Sequence, residues 1–167
     1  MKEIAPSEIK ENPVQLFGKD WALVTAGNIR DFNTMTISWG MLGNLWSAPM
    51  AICYVRPQRY THQYIERHKH YTLAFFEHEM KQILSVMGSK SGRDIDKMHY
   101  PGLTAMELPS GLVGFKEAKL IIECEVAYSD VLKETGFLNN ELMEKIYPQR
   151  DLHTVYIGRI THVWKND

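Results

Sequence analysis

Two short runs carry residue types suited to gripping a flat molecule that bears a phosphate. Arg56-Pro57-Gln58-Arg59-Tyr60-Thr61 sets two guanidinium groups about a proline, which fixes a bend, just ahead of a helix start. Free N–H groups at a helix start, the positive end of the helix dipole, a hydroxyl and a fork-shaped cation are what a phosphate monoester needs. Each charge-assisted bond contributes roughly 1.5–3 kcal/mol, so two or three anchor a ligand. A solvated arginine pair with Thr61 as an ordinary helix cap explains this run, taken alone, equally well.

The second run shifts that balance. Gly88-Ser89-Lys90-Ser91-Gly92-Arg93-Asp94 combines glycines, which let backbone N–H groups turn toward an anion, with serine hydroxyls and two cations. Ser91 to Asp94 has the spacing of a helix capping box, and the order of a Walker A loop is missing. The competing account is a surface loop between two helices. Asn33-Thr34-Met35-Thr36-Ile37-Ser38-Trp39 has a different task. As a strand it sets Thr34, Thr36 and Ser38 on one face and Met35, Ile37 and Trp39 on the other. Its amides and hydroxyls suit the polar rim of a heteroaromatic ring, with Trp39 and Trp46 as apolar walls. An edge strand with one wet face is the plain alternative.

Other chemistries find no support. Gln82 stands where a zincin motif begun by His78-Glu79 needs its second histidine. His62, His68 and His70 lack zinc-site spacing, so no metal is expected. There is no G-x-S-x-G elbow and no G-x-G-x-x-G fingerprint. Cys124 lies between Glu123 and Glu125, whose charge raises a thiol pKa and argues against a nucleophile.

These segments need a scaffold. A length of 167 residues fits one domain with a sizeable core, here taken as 1–167 with a polar lead-in at 1–13. A formal net charge of −1 gives no pull toward nucleic acid or an anionic membrane. Two distant cysteines, no leader-like apolar start and no membrane-length apolar run point to a cytoplasmic protein. Strands are predicted at Trp21–Ala26, Thr34–Trp39, Met50–Val55, Tyr71–Phe76, Lys119–Ala127 and Thr154–Trp164. A loop is expected from Gly40 to Pro49. Tyr60, Tyr64, Ile65 and His68 mark one helix, and Met80, Ile83, Leu84 and Met87 a second that stops near Gly88. About six strands with few, inserted helices favour an antiparallel barrel or sandwich.

With these residues laid out, the chain resembles the flavin reductase-like, FMN-binding split-barrel family in its flavoredoxin-like branch. The likeness runs from about Asn12 to Trp164 and is carried by Asn33–Trp39, Arg56–Thr61 and Gly88–Lys97. It implies a six-stranded split β-barrel with Greek-key connections, and a homodimer with FMN near the interface. It sets the flavin against Met35, Thr36, Ser38 and Trp39, with Asn33 and Thr34 in the same cofactor-binding run. The phosphate falls to Arg56, Arg59, Tyr60 and Thr61, closed over by Ser89, Lys90 and Ser91. His153 to Ile160 matches the closing strand, although Arg159 stands where relatives often carry an acid. The implied activity is an oxidoreductase that moves hydride from NADH or NADPH onto flavin. Electrons then pass to a flavin, a metal chelate or a redox protein. A non-catalytic FMN carrier or sensor remains the alternative. No catalytic residue is assigned, since the cofactor carries the chemistry.

Overall fold

A computed structural model describes residues 1–166. The chain opens with strand β1 (Lys2–Ile4), then a one-turn helix α1 (Pro13–Gln15) whose first N–H groups are capped by Asn12. Strands β2 (Ala22–Asn28) and β3 (Asp31–Ile37) form a hairpin. Gly27 makes its turn possible: at φ 115° a Cβ there would lie 2.2 Å from the Asp31 carbonyl oxygen. A second hairpin joins β4 (Gly40–Leu45) to β5 (Ala48–Val55). Helix α2 (Tyr60–His68), strand β6 (His70–Phe75) and helix α3 (Lys81–Ser89) follow. After the short ribbon β7 (Ala105–Glu107) and β8 (Val113–Phe115) come β9 (Leu120–Val131), helix α4 (Asn140–Ile146) and β10 (Thr154–Lys165).

The architecture is mostly β with inserted helices, and the six strands predicted from the sequence are all present with ends shifted by a few residues. The main sheet nevertheless has eight strands. Seven run antiparallel in the order β3-β2-β6-β9-β10-β5-β4, and β1 adds to β10. The resemblance implies a six-stranded split β-barrel; here the hydrogen-bonded path of the larger sheet ends at β3 and β4 without joining them. The expected loop Gly40–Pro49 is also corrected: it is the β4–β5 hairpin, turning at Trp46 and Ser47 with φ of 54° and 58°. Two positive φ values define the tight turn that matches strand twist, a turn that ordinarily carries Asn-Gly. Without that signature the hairpin was illegible.

The sheet curls around one core. Val24, Met35, Cys53, Leu73, Ile122 and Tyr156, from six different strands, meet in a single buried cluster with Ile65 of α2. On the opposite face Leu23, Ala74 and Ile121 pack under Leu84 and Met87 of α3. Strands β2, β6 and β9 are therefore apolar on both faces, which is why they read as continuous hydrophobic runs. Among the described residues no helix is long and apolar enough to cross a membrane.

Candidate functional site

Helix α2 begins without help. Arg59 occupies its N-cap position and no side chain caps the first turn, so the N–H groups of Tyr60 and Thr61 lack helical acceptors. Thr61 is fully buried and accepts a 2.6 Å hydrogen bond from Asn33 Nδ2, which locks the start of α2 onto β3. Across from it the segment after α3 turns back at Ser91, whose carbonyl accepts from the Asp94 and Ile95 N–H groups at 3.1 Å. Arg59 then donates to the Gly88 carbonyl oxygen at 2.6 Å, joining the two loops. Gly92 permits the closest approach: a Cβ there would sit 1.9 Å from Asn33 Oδ1. The two runs expected to act together thus line one cavity of about 400 Å³, with Asn33 and Met35 of β3 as its floor.

That cavity is positively charged. Arg59, Lys90, Arg93 and Lys97 line it against a single carboxylate, Asp94. Arg93 lies over the Tyr60 ring at 4.3 Å, holding its charge near the mouth. Lys97 is buried and donates to the Met87 and Thr34 carbonyls at 2.7 and 2.9 Å. Burial, then repulsion from Arg59, pulls its pKa down to about 8. The Arg59 guanidinium is lowered as well, by burial and then by Arg56. Crowded, partly dehydrated cations beside open helix N–H groups are chemistry suited to an anion.

Not every predicted residue is in it. Tyr60, Thr61, Ser89, Lys90 and Ser91 line the cavity beside Arg59. The Ser89 hydroxyl turns back to the Ser85 carbonyl at 2.9 Å, and Ser91 Oγ accepts from Arg93 N at 3.2 Å, shaping a turn rather than capping a helix. Arg56 lies outside the cavity lining. It pairs with Asp151, donates to the Ile146 carbonyl at 3.1 Å and lies over the Tyr147 ring at 5.3 Å. Thr34 points inward and bonds Thr25 Oγ1 at 2.8 Å. Thr36 and Ser38 face α3, lining a small cleft of about 220 Å³ with Trp21 and Gly88, where Thr36 donates to the Leu84 carbonyl. Trp39 borders a larger apolar groove of about 640 Å³ with Phe17, Tyr54 and Tyr147. Trp46 stands in the hairpin turn at 60% exposure and does not line the apolar groove beside Trp39.

The segment Asn33–Trp39 therefore runs past three hollows in succession: the cationic cavity, the cleft under α3 and the apolar groove. At about 3.3 Å per residue this stretch covers roughly 20 Å. His153 packs against Trp39 with the rings tilted by 44° and their centroids 4.8 Å apart, and it bonds the Tyr147 hydroxyl at 2.8 Å through Nδ1. Burial, then Arg56 nearby, pushes its pKa down to about 4, so the ring is neutral at neutral pH. Both cysteines are buried; burial pushes Cys53 up to about 12 and raises Cys124 as well, which leaves them unreactive.

Sequence reasoning placed Gly92 and Arg93 in the polar run without assigning them to the cofactor, and missed Lys97 as a wall residue. Nothing local marks Lys97 as buried except its apolar neighbours Ile95 and Met98.

Comparison with known proteins follows the same lines. The pattern of the flavin reductase like domain family matches residues 14–167. An FMN-binding protein from Thermus thermophilus with bound p-hydroxybenzaldehyde superposes with a TM-score of 0.69 at 20% identity, covering 100% of this chain and 80% of that one. Flavoredoxin from Methanosarcina acetivorans gives 0.66 at 21% identity, over 89% of this chain and 69% of its own. The styrene monooxygenase flavin reductase from Pseudomonas putida S12 gives 0.66 at 17% identity, over 92% and 84%. At these identities the solved structures establish likeness of fold. No curated protein matches the chain.

Proposed function

Because this chain belongs to the flavin reductase-like family, we propose that it is an FMN-dependent oxidoreductase. Its phosphate seat is the cavity between the start of α2 and the loop after α3. The observation that carries this reading is the convergence of Arg59, the uncapped α2 terminus and the Ser89–Lys97 segment on one cationic cavity. The residues suit the group: the donors are amide, guanidinium and ammonium, and Gly92 lets the loop that carries them close against Asn33. Names of the solved relatives, FMN-binding protein and flavin reductase, support the same cofactor.

When bound, FMN would supply two-electron exchange with a reduced nicotinamide, and NADH or NADPH is the proposed donor. The protein's part is binding and orientation. Arg59 and Lys97 neutralise the phosphate, while α2 gives it free N–H groups. The segment Met35–Ser38 would hold the ring, with Trp39, packed against His153, as an apolar wall. The apolar groove beside Trp39 would leave the ring accessible to a donor or acceptor. Arg56 acts at one remove, lying over the ring of Tyr147, whose hydroxyl meets His153.

A homodimer is part of the proposal. Trp39, Met41, Leu45 and Trp46 are all exposed along β4 and its turn, an apolar patch beside the groove that a second copy would cover. The split-barrel description, closed by strand curvature rather than by a complete hydrogen-bond circuit, is proposed on the shared core.

The test is an absorption spectrum of protein incubated with FMN and desalted, followed by anaerobic titration with NADH and with NADPH. Retained yellow colour that bleaches with one of them supports the reading. A colourless protein overturns it.

A further inference from the structure

The groove beside Trp39 has a character opposite to that of the cationic cavity. It encloses about 640 Å³, and among the described residues no charged side chain lines it. Phe17, Trp39, Tyr54 and Tyr147 present aromatic rings there, and Val14 and Leu132 add aliphatic surface. A hollow of this size suits a small organic molecule. One guanidinium comes near, that of Arg56 over the Tyr147 ring at 5.3 Å, and Asp151 already pairs with it. Two phenol hydroxyls mark the site. That of Tyr147 is bonded to His153. Tyr54 stands between Cys53 and Val55, which point into the core, so its own side chain faces the groove. Burial, then Cys53, raises its pKa, and no hydrogen bond satisfies its hydroxyl among the described residues. A neutral phenol is left with a proton to donate.

We propose that this groove is the acceptor site and takes a neutral, planar carbonyl compound, a quinone, in preference to anionic acceptors such as ferric chelates. The proposal rests on the flavin reading above and deepens it: Ser38 lines both the groove and the cleft under α3, so an occupant of the groove lies at the end of the segment assigned to the ring. A flat ring matches aromatic walls, and a carbonyl oxygen accepts the free Tyr54 proton. An anionic chelate would shed water here with no cation to meet it. The dihydronicotinamide head of NADH or NADPH is uncharged as well, so it takes the same place first and leaves before the quinone enters. The exchange balances. The nicotinamide loses a hydride; the quinone gains that hydride's two electrons and proton by way of the flavin, takes one further proton from water, and leaves as the hydroquinone.

The experiment is calorimetric titration of the whole protein, FMN-loaded and FMN-free, with a naphthoquinone and with the ring sulfonate of the same quinone. The neutral compound should bind about tenfold or more tightly than the sulfonate. After bleaching with NADH or NADPH, reoxidation should saturate with the quinone and rise linearly with ferric citrate. Tyr54→Phe should weaken quinone binding by about two- to tenfold. Val14→Lys should narrow or reverse the preference by giving the sulfonate a counter-charge, and Val14 is 81% exposed, so this variant folds even if Tyr54→Phe does not. Equal affinity for the two compounds, or a quinone affinity that neither variant moves, overturns the proposal. Quinone binding that weakens as protein concentration rises would put a second copy of the chain in the groove and overturn it too. A protein that binds FMN and bleaches but shows no preference leaves the flavin reading standing without this one. The preference in a protein that never binds FMN overturns the flavin reading and leaves the groove as a quinone site.

Discussion

Asn33 and Thr61 meet in a buried hydrogen bond, Nδ2 to Oγ1 at 2.6 Å, that fastens the strand under the cavity to the helix that opens it. Asn33→Leu removes the donor and leaves Thr61 unsatisfied, at a cost of about 1–3 kcal/mol. Chemical denaturation should report that loss, and FMN affinity should fall with it because the α2 terminus is no longer held. Wild-type stability in this variant would mean that the bond positions nothing.

Gly92→Ala tests the closeness of the two loops. The added carbon would lie 1.9 Å from Asn33 Oδ1, against a buried side chain that is itself committed to Thr61. The loop has to retreat, so FMN binding should weaken by tenfold or more while the fold, probed by circular dichroism, persists. Unchanged affinity would show that the Gly92 approach is incidental.

The two arginines should separate cleanly. Arg59→Ala should weaken FMN binding by about ten- to a hundredfold with a small effect on stability. Arg56→Ala should leave affinity within about threefold but destabilise the fold by about 1–3 kcal/mol, since Asp151 and Tyr147 lose their partner. The Arg56 bond holds the Asp151 carboxyl below its usual value, and Gln58 adds to it. That contribution is present above the unfolded pKa near 3.8 and is lost as pH falls through the lower folded value. The stability gap between wild type and Arg56→Ala should thus narrow below about pH 4.

His153 predicts a second pH effect of known sign. Its folded pKa of about 4 lies below the ordinary 6.5, so the unfolded chain takes up a proton first. Stability should fall as pH drops from 6.5 toward 4 and level off below, by roughly 3 kcal/mol at most. His62, lowered by burial, adds to the same trend. His153→Gln, which can still bond the Tyr147 hydroxyl, should flatten the slope in urea titrations between these pH values. An undiminished slope would show that His153 titrates normally.

Dimerisation is open to direct measurement. Met41 and Trp46 are 54% and 60% exposed, so Met41→Glu with Trp46→Glu should not unfold the chain but should yield a monomer by sedimentation. A wild-type protein that already sediments as a monomer removes the interface from the account.

What could be read from the sequence follows the range of each signal. Apolar patterning is local, so strands were legible at Trp21–Ala26, Lys119–Ala127 and Thr154–Trp164, where the structure has Ala22–Asn28, Leu120–Val131 and Thr154–Lys165. That the Arg59 run and the Ser89–Asp94 run belong together was legible because each concentrates donors within a few residues, and the two line one cavity. Arg56 was misplaced because its partner, Asp151, lies 95 residues downstream and leaves no mark near it. Thr34 was expected in the cofactor-binding run, although its hydroxyl is buried against that of Thr25 on the next strand. Strand β4 was hidden by a turn that places Trp46 and Ser47 at positive φ without glycine. Lys97 was invisible as a wall residue, since nothing in a polar run announces that one of its lysines is buried.

The most direct test is the structure of the protein crystallised with FMN. The account predicts a phosphate within hydrogen-bond reach of Arg59, Lys97 and the Tyr60–Thr61 amides, with the ring running along β3 toward Trp39. A flavin whose phosphate points to solvent, with the cationic cavity left to water, would contradict it.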